Sequence, residues 1–104
     1  MISREIHLKS RPVGLPVAAN FDLVEREVGP AGAGEIIIQN HYMSVDPYMR
    51  GRMAMAWPTG EVMIGGAVGK VVESNNANFV VGDYVTHGFG WREYAVSNGA
   101  GVAK

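Results

Sequence analysis

Cysteine is absent from the 104 residues, which excludes disulfides and thiolate metal ligands. Charge is sparse and balanced: 9 Lys and Arg against 10 Asp and Glu leave a net charge of −1. Such a balance provides no electrostatic footprint for nucleic acid or an anionic membrane surface. Apolar residues never run together for the roughly 18 positions that a membrane-spanning helix needs. Residues 1 to 20 carry Arg4, Glu5, Lys9 and Arg11 in place of the apolar stretch of a signal peptide. These absences together predict a cytoplasmic protein with neither a nucleic-acid nor a membrane partner. His7, His41 and His87 lie far apart and form no ligand pattern, so no metal site is expected. A G-x-G-x-x-G phosphate loop is also missing. Gly32-x-Gly34, Gly88-x-Gly90 and Gly99-x-Gly101 each fail at the third position, on Ile37, Glu93 and Lys104.

What is present fits one globular domain, with 47% hydrophobic residues. Fourteen glycines and five prolines imply many turns. Strands are predicted at the Ile6/Leu8 alternation, Phe21 to Val24, residues 35 to 45, Val68 to Glu73, Tyr84 to Gly88 and Glu93 to Val96. Their spacing points to a small barrel or sandwich with at most a short helical turn after Pro47. His7 alternates with Ile6 and Leu8 and is expected to face solvent. Residues 74 to 78 read as a surface loop, residues 97 to 101 as a boundary, and Gly82-Asp83 as a turn needing positive φ.

The run Ile36-Ile37-Ile38 has the β-branched character of a buried strand, and Asp46-Pro47 stops it, because proline cannot donate to a ladder. Tyr48, Arg50 and Arg52 then project from a rigid support into a loop, where sites are usually built. The string Tyr-Met-Ser-Val-Asp-Pro-Tyr-Met-Arg-Gly-Arg, from Tyr42 to Arg52, resembles the zinc-independent reductases of the medium-chain dehydrogenase/reductase superfamily. The similar branch contains leukotriene B4 dehydrogenase, prostaglandin reductase and alkenal double-bond reductase. Glu61 to Gly69, Phe79 to Val85 and Gly90 to Val96 resemble that family in the same order, so the likeness covers nearly the whole chain. Met53 to Thr59 departs from it, being shorter and more apolar, which leaves the substrate's identity open.

The resemblance implies a mainly β fold, a GroES-like partly open barrel with minor short helices. It further implies that residues 1 to 104 are the catalytic-domain portion of a larger enzyme whose Rossmann domain lies outside this chain. That enzyme would be an NADPH-dependent reductase of the C=C bond in α,β-unsaturated ketones and aldehydes. Without the phosphate loop, the chain alone is expected to be inactive, to bind NADPH weakly and to self-associate through an uncovered apolar face. By the same resemblance Met43 stands where zinc-dependent relatives carry a ligating Cys, and Gly65-Gly66-Ala67 where they carry Gly-His-Glu.

The expected site comprises Tyr48 as the catalytic residue. Met43, Tyr48, Arg50, Gly65 and Gly66 are expected against the cofactor, and Tyr48, Met55 and Trp57 against the substrate. Tyr48 could instead pack the loop with its hydroxyl wet, and Arg50 could pair with Glu25, Glu27 or Glu61. Asp46 is read as closing the turn by accepting backbone N–H groups. The remaining methionines are read as core filler or as soft walls for varied apolar chains. Two alternatives stay open: a quinone oxidoreductase, and a stand-alone GroES-like binding or chaperonin-type module.

Overall fold

The computed structural model describes residues 1–46, 49, 52–53 and 59–104. Six strands are formed: β1 (Ile2–Leu8), β2 (Phe21–Glu27), β3 (Ile36–Met43), β4 (Ala67–Ser74), β5 (Tyr84–His87) and β6 (Tyr94–Ser97). A 3-10 turn, Ala18–Asn20, precedes β2, and Met49, Arg52 and Met53 are helical. The architecture is mainly β. One antiparallel sheet has the order β5-β4-β3-β6, and β1 and β2 form a separate antiparallel pair.

β1 links the two sheets through the segments on its flank. Ile6 N–H donates to the Trp91 carbonyl at 2.8 Å, and Met63 N–H donates to the Ile6 carbonyl at 3.0 Å. Leu8 N–H reaches the Glu61 carbonyl at 3.1 Å. These are isolated bridges rather than a continuous ladder, so the barrel stays partly open.

β3 sits at the centre, paired with β4 on one side and β6 on the other. Ile36, Ile37 and Ile38 are all buried, as a strand covered on both faces requires. Ile36 and Ile38 pack with Val71, Phe79, Val85 and Ala95 in one core cluster. A second cluster joins Leu8, Met49, Met53 and Met63, with Phe21 and Trp91 packed against it. The β3–β4 register shifts between Asn40 and Tyr42, and from His41 onward β3 is exposed. Such a shift bends a strand and re-aims its side chains, and here it carries the end of β3 out of the core.

The expected strands all form, each within one to four residues of its predicted limits. The turn at Gly82-Asp83 also forms: Gly82 has φ +101°, and the Asp83 carboxylate accepts the Val80 N–H at 3.0 Å. The placement of His7 is corrected. Its ring is 8% exposed, because the inward face of β1 is the polar series Ser3, Glu5 and His7. His7 Nε2 lies 3.0 Å from Glu5 Oε1 and Nδ1 lies 3.2 Å from the Gly60 carbonyl.

Candidate functional site

Where β3 leaves the core, an open groove of about 440 Å³ is lined by Tyr42, Met43, Ser44, Gly66, Ala67, Val68, Thr86 and His87. Its walls come from the ends of β3, β4 and β5, so rigid strands support it. Ser44 N–H donates to the Gly66 carbonyl at 2.8 Å, joining the chain after β3 to the residue just before β4. Tyr42 in the groove lining is 75% exposed, and Val45, next to the lining Ser44, is 69% exposed. Apolar walls with few polar groups are usual for a small-molecule or cofactor site.

Met43 and Gly66, both expected against a cofactor, are brought to this one groove. A Cβ on Gly66 would lie 3.2 Å from Ser44 Oγ, so glycine lets the Ser44 hydroxyl pack closely at the groove wall. Gly65 is turned the other way: it is buried beneath Met49, Trp91 and Ser44. Tyr48, Arg50, Met55 and Trp57 lie outside the described residues. Of the described methionines near the site, Met49, Met53 and Met63 are core, and Met43 meets the groove.

Among the described residues, the Asp46 carboxylate accepts the Ser44 hydroxyl at 2.8 Å, and its backbone carbonyl accepts the Met49 N–H at 3.0 Å. The Met49 sulfur in turn lies 3.4 Å from the Asp46 N–H.

Behind the groove is a network that no sequence signal announced. Asn40 Nδ2 donates to the carbonyls of Phe89 and Arg92, each at 3.0 Å. Its Oδ1 lies 2.7 Å from His87 Nε2, while His87 Nδ1 accepts the Phe89 N–H at 3.0 Å. With Nδ1 accepting, Nε2 must carry the proton, which defines a neutral ring. Burial is the main cause that lowers the His87 pKa, and the Arg92 charge adds to it. Trp91 is a second feature that the sequence reading missed, since it enters there only within the Gly90 to Val96 stretch that resembles the family.

Among the described residues, no three His, Cys, Asp or Glu side chains come together as a metal site would require. Nor does any described helix have the length and apolarity to cross a membrane.

A family model described as the N-terminal domain of oxidoreductase matches residues 4–104. The NADPH-dependent curcumin reductase of Escherichia coli (strain K12) is 44% identical over 103 residues, spanning 93% of this chain and 30% of that protein. Prostaglandin reductase 1 of Bos taurus is 39% identical over 97 residues, covering 93% of this chain and 29% of its own length. The crystal structure of CurA from Vibrio vulnificus in complex with NADPH superposes with a TM-score of 0.84 at 47% identity. That match covers 92% of this chain and 30% of the other. The chain therefore spans about three tenths of the length of the relatives it matches.

Proposed function

Because the chain belongs to the N-terminal domain family of the zinc-independent medium-chain reductases, we propose that it is the catalytic-domain portion of an NADPH-dependent enone and enal reductase. The observation that carries this reading is the groove at the ends of β3, β4 and β5, apolar and relieved of side chains at Gly66. Its residues fit a nicotinamide ring: Met43 and Ala67 offer apolar contact, and Gly66 permits close approach. Bound there, the cofactor would supply a hydride to the β-carbon of the substrate.

The chain's own residues orient and stabilise. Met43, Gly66 and Ala67 form an apolar wall; once cofactor and a covering domain exclude water from it, any hydrogen bond made in the groove would be strengthened. The negative charge that grows on the substrate oxygen calls for an aimed donor, commonly the largest catalytic contribution. Tyr48, adjacent in sequence to the anchored Met49, is the proposed donor, and Arg50 the proposed phosphate contact. Met55 and Trp57 are the proposed substrate walls. The pyrophosphate anchor would come from a Rossmann domain, since this chain lacks the glycine fingerprint.

The test is NADPH oxidation by the full-length protein with 3-penten-2-one, first as wild type and then as Tyr48→Phe. Loss of a hydrogen bond to a charged group costs about 1.5–3 kcal/mol, or roughly 10- to 150-fold in kcat/KM. We expect that loss mainly in kcat. Wild-type turnover with unchanged kinetics in Tyr48→Phe and Tyr48→Ala would remove Tyr48 from the chemistry. Absence of any enone turnover by the wild type would defeat the reading itself.

A further inference from the structure

Gly65 faces away from the groove, into a notch whose other walls carry unusual costs. A Cβ at this position would stand 2.5 Å from Met49 Cε, 3.4 Å from Trp91 Nε1 and 3.6 Å from the Ser44 carbonyl oxygen. The end of the Met49 side chain therefore occupies the space that glycine leaves. Met49 is 1% exposed and is tied to Asp46 at both its backbone and its sulfur.

Trp91 forms the opposite wall. Its φ is +61°, a left-handed conformation that a bulky residue adopts only at a cost. Among the described residues, its indole N–H is buried without a partner, a second cost at the same residue. Strain of this kind persists where the surroundings over-determine it, and it clusters at functional sites. The surroundings here are specific. Trp91 N–H points at the Met43 sulfur at 3.3 Å, and its carbonyl accepts the Ile6 N–H at 2.8 Å. Its ring stacks on Phe21, with centroids 6.3 Å apart and planes 8° apart. Gly90 closes the notch, its N–H donating to the Gly65 carbonyl at 2.9 Å.

We propose that Gly65, Trp91 and Met49 are positioning residues: the notch seats the Met49 side chain, which through its bonds to Asp46 holds Ser44 to Asp46 against the groove. The inference rests on the reductase reading for its catalytic consequence but not for the notch itself. A methionine tip is flexible and polarizable, so a methyl group at position 65 displaces it at little cost to the fold. Stability and turnover should therefore separate, which a purely structural role would not produce.

The experiment combines two readouts. In the 104-residue chain with 13C-methyl-labelled methionine, Gly65→Ala should move the Met49 methyl resonance and the amides of Ser44 and Asp46. Melting should stay within a few degrees of wild type. In the full-length reductase, Gly65→Ala and Met49→Leu should each lower kcat for 3-penten-2-one about tenfold or more, with KM for NADPH changed by less than about twofold. The double variant, in which the shorter Leu makes room for the added methyl, should recover turnover above either single variant. Unmoved methyl and amide signals, or a displaced Met49 with normal kcat, would overturn the proposal. So would the absence of recovery in the double variant, or losses of stability and activity in step. If Gly65→Ala fails to fold, Met49→Leu alone carries the kcat test, its volume being close to that of Met. A wild type without enone turnover would defeat the reductase reading, while the methyl and amide shifts would still decide the notch.

Discussion

His87 shows how a single buried residue can bind the site to its support. Its neutral ring links Asn40 to the Phe89 backbone, and Asn40 holds the Phe89 and Arg92 carbonyls on either side of Trp91. Protonation at Nδ1 would break the Phe89 bond and bury a charge near Arg92. The folded pKa lies below the ordinary 6.5, so the unfolded chain binds the extra proton first. His87 thus contributes stability that is fully present above about pH 6.5 and is lost as pH falls through the lowered folded value. Urea titrations of wild type and His87→Gln at a series of pH values should show a shallower decline for the variant over that window. Parallel declines would exclude His87 as the titrating group. The sequence could not reveal this network, because Asn40, His87, Phe89 and Arg92 meet only after β3, β4 and β5 are paired.

At the scale of elements, legibility depended on whether a strand's pattern followed its environment. Ile36 to Ile38 read correctly as buried, since a strand covered on both faces has a continuous apolar run. β1 misled because its inward face is polar: the Glu5 carboxylate, also 3.3 Å from Arg26 Nε, satisfies His7, so alternation alone assigned the faces wrongly. The outer side of β1 carries a clip to the segment before β6. Arg4 Nε and one terminal nitrogen hold the Glu93 carboxylate at 3.0 and 2.8 Å, and the Arg4 backbone N–H adds a third bond at 2.9 Å. These bonds, the side-chain one first, lower the Glu93 pKa from 4.5 to about 2. A depressed carboxylate contributes stability above its unfolded value, and that contribution disappears as pH falls from about 4.5 through about 2. The pair is solvent-exposed, so water and salt screen most of it. Glu93→Gln should therefore be only slightly less stable at neutral pH, and its acid unfolding curve should flatten in that window. An unchanged acid limb would show that the clip contributes nothing measurable.

Across the whole molecule, the fold was legible because turns, β-branched runs and the Tyr42 to Arg52 string agreed with one another. The site was legible only in part. Met43 and Gly66 reach the groove, but Gly65, one residue from Gly66, points into the core, since successive residues of an extended chain face opposite ways. The end of the molecule that bears the groove also bears Tyr42, Val45, Ile64 and Val68, all exposed. A large uncovered apolar patch favours association, and in the proposed parent enzyme the cofactor domain would cover this face. The 104-residue chain should accordingly self-associate as its concentration rises, measured by sedimentation velocity. Val45→Lys places a charge beside the groove at an exposed position just after β3, where it costs the fold little. Its expected effect is a shift towards monomer with unchanged melting. If the wild-type chain stays monomeric at millimolar concentration, or if Val45→Lys associates as strongly as wild type, this face is not the one that seeks a partner.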